Sequence, residues 1–203
     1  MEVELLHCSP KWIIVEGIRT CWKSFEKSDS DCVNDVLGPN DISLVKKIIS
    51  FGHTSTLEHS LFTFKVDGIS RALLQELSRH RVGVSPSVES TRYTLKKIIN
   101  NEEDIANVLV SSGNEDIDAL NEKHLRELTE LIKEKGLTND VAKYGLVESY
   151  KVSETISFNL RSLRHFYQLR TSKKALKEIQ ELAHKLVEAL PEDYNIFFED
   201  LVQ

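Results

Sequence analysis

Phe62, Phe64 and Val66 alternate with Thr63 and Lys65 in "LFTFKVD", the period of a half-buried strand. "KVSETISF" alternates in the same way, and "VELLHC" near the start is read as a further strand. Elsewhere the apolar positions recur at helical spacing. "WIIVEGIRTCWKSFEK" is an apolar-rich helix that ends before the polar loop "SDSDCVNDVLGPND". Asp41 is placed to cap the next helix, "ISLVKKIISF", with Gly52 just past its end. Gly68 turns the chain into "ISRALLQELSRH", where Ile69, Ala72, Leu73 and Leu77 share a helix face. An acidic stretch leads to a long helix that runs to about Lys135 and is closed by Gly136. Thr138 or Asn139 then opens "DVAKYGLVES", Asn159 stands as N-cap before "LRSLRHFYQLR", and "KKALKEIQELAHKLVEAL" ends at Pro191. No repeat, linker or boundary interrupts this order, so the pattern predicts one α+β domain dominated by helices.

Composition narrows the class. The chain has 203 residues, 40% hydrophobic and 29% charged, enough for a real core. A net charge of −6 argues against a general polyanion-binding surface, so any anion site must be local. No apolar run reaches the ~20 residues of a membrane span, and Met1 to Ser9 does not read as a signal peptide. A cytoplasmic protein with no membrane partner is expected. Cys8, Cys21 and Cys32 form no CxxC pair and are odd in number; reduced thiols are expected, two of them buried.

The positive charge is concentrated in "RHRVGVSPSVESTRY", residues 79–93. This reads as a loop leaving the end of a helix, because Gly83 and Pro86 stop it. A helix C-terminus favours cations by itself, which accounts for Arg79 and Arg81 without any ligand. Ser85, Ser87, Ser90, Thr91 and Arg92 add hydroxyl and guanidinium donors suited to phosphate. A second cluster is helical: Arg161 and His165 share one face, while Leu163, Phe166, Tyr167 and Arg170 share another. Taken alone, such a helix is a solvated face or a partner surface. His53 and His59 in "GHTSTLEH" lack the context of a metal site, and no metal is expected. Neither GxGxxG nor GxxxxGK[ST] occurs, so the common dinucleotide and triphosphate cradles are absent. Overall acidity counts against an RNA-binding module, and no nucleic-acid partner is expected.

Taken together, Arg79-His80-Arg81 followed by Ser90-Thr91-Arg92-Tyr93 resembles the hallmark of the flavin-dependent thymidylate synthases. The resemblance runs over most of the chain through "RTCWKSFE", "GHTSTLEH", "LQELSRHR", "DVAKYGLVESYK", "NLRSLRHFYQLRTS" and "ALPED", and is weakest between about 97 and 137. It implies one helix-rich α+β domain over 1–203 with a small, mostly antiparallel sheet. It also implies FAD-dependent conversion of dUMP to dTMP, with 5,10-methylenetetrahydrofolate as carbon donor and NADPH as reductant. The family pattern puts FAD contacts at Ser55, Glu58, Arg79, His80, Arg81, Asn159, Arg161 and His165. It puts dUMP contacts at Glu76, Arg79, Ser90, Thr91, Arg92, Lys143 and Arg170, with Arg170 acting catalytically at the uracil ring. A homotetramer with active sites shared between subunits is implied as well.

This chain departs from the pattern in places. Lys143 stands for a common arginine, Val147 for a proline, His165 for an asparagine and Glu76 for a glutamine. The stretch Val82 to Glu89 is one residue longer than usual. Either a bulge between Gly83 and Pro86 absorbs the extra residue, the favoured expectation, or Ser90 and Arg92 are displaced from the phosphate. The alternative function is a catalytically impaired paralogue that still binds flavin and nucleotide.

Overall fold

The computed structural model describes residues 1–100 and 104–201. In chain order the main elements are β1 (Glu2–Cys8), α1 (Trp12–Trp22), α2 (Pro39–Ser50), β2 (Leu61–Ser70), α3 (Arg71–Leu77) and β3 (Val84–Val88). They continue with α4 (Thr91–Ile99), α5 (Glu115–Lys135), α6 (Asn139–Ala142), β4 (Lys151–Asn159), α7 (Leu160–Arg170) and α8 (Lys177–Glu188). The strands form one four-stranded antiparallel sheet in the order β1-β2-β4-β3, giving the expected helix-rich α+β fold. By compactness the chain divides into a smaller unit (Met1–Glu2, Val66–Arg79, Ser87–Thr155) and a larger one (Val3–Lys65, His80–Pro86, Ile156–Gln203).

In the larger unit α7 packs on α8 and on the 3-10 turn Thr54–His59, and α1 packs on the same turn. Ile14, Ile18, Leu57, Phe62, Phe64, Phe158, Phe166 and Phe197 are fully buried there. α1 stops at Trp22, short of the expected Lys27, because Lys23 turns left-handed (φ 48°). α2 begins earlier than expected: Pro39 takes the first helical position, where its missing N–H is no loss. Asp41 is therefore not the cap. The Asp29 carboxylate accepts from the Asn40 and Asp41 amides instead. Asp41, fully buried, accepts from Arg19 Nε (3.1 Å) and from the Ser28 and Ser30 hydroxyls (2.6 and 2.7 Å). α8 starts at Lys177 rather than Lys173. Cys21 and Cys32 are exposed and Cys8 is half-buried, so the expectation of two buried thiols fails.

In the smaller unit Val66, Ile69, Leu73, Leu95, Ile98, Leu125 and Val152 are buried. β2 does not turn at Gly68. Without a Cβ that residue takes φ +73° inside the strand, and Ser70 caps α3 by accepting from the Leu73 amide at 3.0 Å. α5 is capped by Asn114 and, as expected, closed by left-handed Gly136. α6 is shorter than expected and continues as a 3-10 turn, Lys143–Gly145.

The stretch expected as a loop after Arg81 contains β3, an edge strand that tolerates Pro86 because its outer side needs no donor. Asn159 N donates to Gly83 O and Glu89 N donates to Ser153 O, so both ends of β3 keep one register on β4. The expected bulge between Gly83 and Pro86 is therefore absent. The extra residue is carried within a regular strand whose far end, Glu89, stays fixed on β4 directly before Ser90, so the absence of the bulge does not by itself displace Ser90 and Arg92. A bulge would shift the pairing by one between those two bonds, and the ladder shows no shift.

Candidate functional site

Asn159 organises the larger unit's site. Its side chain accepts from the Ser162 amide at 2.8 Å, starting α7, and its amide holds Gly83 O at 2.9 Å. The Ser162 hydroxyl donates to Val82 O at 2.6 Å. Gly83 has φ +64°, and a Cβ there would lie 2.3 Å from Asn159 Nδ2, so only glycine fits this approach. The Val82–Gly83 turn is thereby pinned to the start of α7, and His80 and Arg81 precede it directly.

Further along α7, Arg170 Nε donates to His80 Nε2 at 2.8 Å. Guanidinium has only donors, so His80 accepts through Nε2 and is the neutral ring. That ring meets Phe166 edge-on at 4.9 Å and lies 6.3 Å from the His165 ring. Arg161 Nη1 donates to Glu58 at 2.5 Å, tying α7 to the Thr54–His59 turn; Ser55 is exposed on that turn, and Arg81 and His165 are exposed too. This unit thus gathers Ser55, Glu58, His80, Arg81, Asn159, Arg161, His165 and Arg170. Three guanidiniums and two imidazoles beside a phenyl wall suit a flat aromatic cofactor carrying phosphates.

The smaller unit holds the remaining candidates. Arg79 Nη1 lies 3.3 and 3.4 Å from the two Glu76 oxygens, one turn apart on the same stretch. Ser90 is the N-cap residue of α4, yet its hydroxyl makes no cap bond; Thr91 behind it is buried. Arg92 donates through Nε and Nη2 (the latter at 3.2 Å) to the two Asp140 oxygens, which pushes its pKa further up. The Asn139 side-chain amide donates to Arg92 O at 2.6 Å. Lys143 is half-buried at the head of the 3-10 turn that packs, like α6, against α4. An uncommitted Ser90 hydroxyl and the exposed Arg92 guanidinium at the start of one helix can receive an anion. Asn139 and Asp140 were not anticipated, since they are far from Arg92 in the chain.

Residues 4–193 match the family model described as "Thymidylate synthase complementing protein". The flavin-dependent thymidylate synthase of Campylobacter jejuni (strain RM1221) is 45% identical over 98% of this chain and 96% of its own. The chain belongs to the flavin-dependent thymidylate synthase family. The family member from Helicobacter pylori (strain 26695) is 42% identical over the whole of both chains. A crystal structure of Thymidylate Synthase X from Helicobacter pylori with FAD and dUMP is similar along 100% of both chains, with a TM-score of 0.89 at 41% identity. The fold anticipated from the family resemblance is thus the fold of a family member.

Proposed function

We propose that this chain is an FAD-dependent methyltransferase that converts dUMP to dTMP, with 5,10-methylenetetrahydrofolate as carbon donor and NADPH as reductant. The observation that carries the reading is the end-to-end likeness to a Helicobacter pylori enzyme crystallised with FAD and dUMP. The site chemistry supports it, because both units carry local cations inside an acidic chain.

In this reading Ser55, Glu58, His80, Arg81, Asn159, Arg161 and His165, with Arg79, hold FAD. When bound, FAD supplies the reducing equivalents that complete the methyl group. Glu76, Arg79, Ser90, Thr91, Arg92 and Lys143 hold dUMP; the Ser90 hydroxyl, the α4 amides and Arg92 face its phosphate. Arg170, oriented by its bond to His80, polarises the uracil ring. Asn159 acts mainly through the α7 cap that fixes Gly83, and so sets where His80 and Arg81 stand.

The reading extends to one functional domain over 1–203, a homotetramer with shared active sites and a cytoplasmic location. Exposed free Cys21 and Cys32 accord with a reducing compartment. No helix among the described residues is long and apolar enough to cross a membrane. The cation sets are in place in both units, which weighs against the impaired paralogue. The test is direct: the purified protein should be yellow with flavin and should form dTMP from dUMP when supplied with methylenetetrahydrofolate and NADPH. Flavin binding without dTMP would reinstate the paralogue.

A further inference from the structure

We infer that Asp140, with Asn139 beside it, is a positioning residue for the nucleotide phosphate, acting by fixing the guanidinium plane of Arg92; this rests on the reading that Ser90–Arg92 receives dUMP. Arg92 stands in the first turn of α4, where the helix dipole disfavours a cation. Two contacts keep it there. Asp140 takes Nε and Nη2, one edge of the fork, which sets the plane of the group. Asn139 takes the carbonyl of the same residue. Side chain and main chain of one arginine are thus gripped by neighbouring residues of one short helix.

The other edge of the fork stays available: among the described residues Arg92 Nη1 has no partner. Ser90, whose hydroxyl makes no cap bond, stands two residues before Arg92 at the N-cap of α4. A loose arginine would lose rotamer freedom on meeting a phosphate, and Asp140 removes that loss beforehand. A carboxylate near a phosphate also repels it. Arg92 and Asp140 side chains are 49% and 62% exposed, so water and salt screen that repulsion, whereas fork orientation is not screened. Ordering is therefore the larger effect.

The experiment is dUMP titration of the FAD-loaded protein, followed by flavin absorbance, with deoxyuridine as the phosphate-free probe. The variants are Arg92→Ala, Asp140→Ala, Asp140→Asn and the double alanine. Arg92→Ala and Asp140→Ala should each weaken dUMP binding by about tenfold, the scale of one charge-assisted bond. The double variant should bind no worse than Arg92→Ala, because Asp140 acts only through that arginine. Asp140→Asn, which keeps the shape and one acceptor for Nε, should fall between parent and alanine. Deoxyuridine binding should be the same in all. Parent-like or tighter dUMP binding by Asp140→Ala, or losses that add in the double variant, would overturn the inference. Parent-like binding by Arg92→Ala would instead overturn the Ser90–Arg92 reading, and the inference with it.

Discussion

The two units hold charge in different ways. In the larger one the buried charges are paired: Arg19 with Asp41, Lys11 with Asp35 and Asp193, Arg164 with Asp200 at 2.7 and 2.8 Å. The smaller unit buries Glu154, only 3% exposed, with neither oxygen hydrogen-bonded among the described residues. The site residues follow the same division. Arg170 in the larger unit donates through Nε to the His80 imidazole, while Arg79 and Arg92 in the smaller one donate to carboxylates. A guanidinium paired with a carboxylate is partly compensated and suits binding and orienting an anion, whereas a bond to an imidazole orients the group without adding a counter-charge. In the proposed function Arg170 of the larger unit acts at the ring and Arg92 of the smaller unit anchors the phosphate, and the difference in partners accords with that division.

The largest expected effect breaks this assignment at Arg170. Arg170→Lys should retain flavin but lose dTMP formation by roughly a hundredfold or more, because a point charge cannot keep both the His80 bond and a planar fork at the ring. Stopped-flow reduction and steady-state turnover read the two properties separately. Turnover near the parent's would remove Arg170 from the chemistry.

Glu154 tests the other half of the comparison through pH. Burial pushes its carboxyl up from 4.5 to about 7. The folded chain therefore keeps a proton that the unfolded chain releases, so stability present below about 4.5 is lost as pH rises through 7. The gap corresponds to about 3 kcal/mol. The larger unit has the opposite sign. Burial pushes Asp41 up, but Ser28, Ser30 and Arg19 together hold it below the ordinary value, and Arg164 does the same for Asp200. Their contribution is lost as pH falls. Urea unfolding from pH 5 to 8 should show parent stability falling relative to Glu154→Gln by about that amount. A difference that does not change with pH would place a partner on Glu154.

What the chain disclosed beforehand follows from how local each signal is. Asn159, Gly136 and Gly52 were legible because caps act within one turn. Asp41 was misread because its partners lie at 19, 28 and 30, and proximity in sequence suggested a cap. β3 was read as loop because its pairing partner is some seventy positions on, and Pro86 masked the alternation. The cationic stretches were visible by residue type, but Asn139 and Asp140 carried no sign of Arg92. Glu154 did leave a signal: it falls in the apolar phase of Val152, Ile156 and Phe158, a polar residue facing inward.

Next in size is Gly83, which tests whether the larger unit's site is set by rigid backbone contacts. Gly83→Ala combines a left-handed backbone with an overlap on Asn159, and should cost about 2 kcal/mol, with weaker flavin binding. A loss under about 0.5 kcal/mol in urea unfolding would mean that the turn can slide off α7.

The smallest expected effect concerns the thiols, all three of which lie in the larger unit, where the proposed function puts the ring-polarising Arg170. If that chemistry belongs to Arg170, the sulfur atoms are bystanders. Cys21 and Cys32 are exposed, and the Cys8 thiol donates to the Tyr194 hydroxyl at 3.3 Å. Tyr194 in turn donates to Ser9 O, so Cys8 belongs to a packed structural corner near Lys11, whose ammonium sits 4.9 Å over the Tyr194 ring. Replacing Cys21 and Cys32 by serine and Cys8 by alanine should leave turnover within about twofold, since a surface substitution is nearly neutral and the weak thiol bond is worth little. Mass spectrometry of the protein trapped with dUMP should find no cysteine adduct. An adduct on Cys8 would move the reacting atom from the Arg170 end of α7 to the end of β1, and with it the division of labour between the two units.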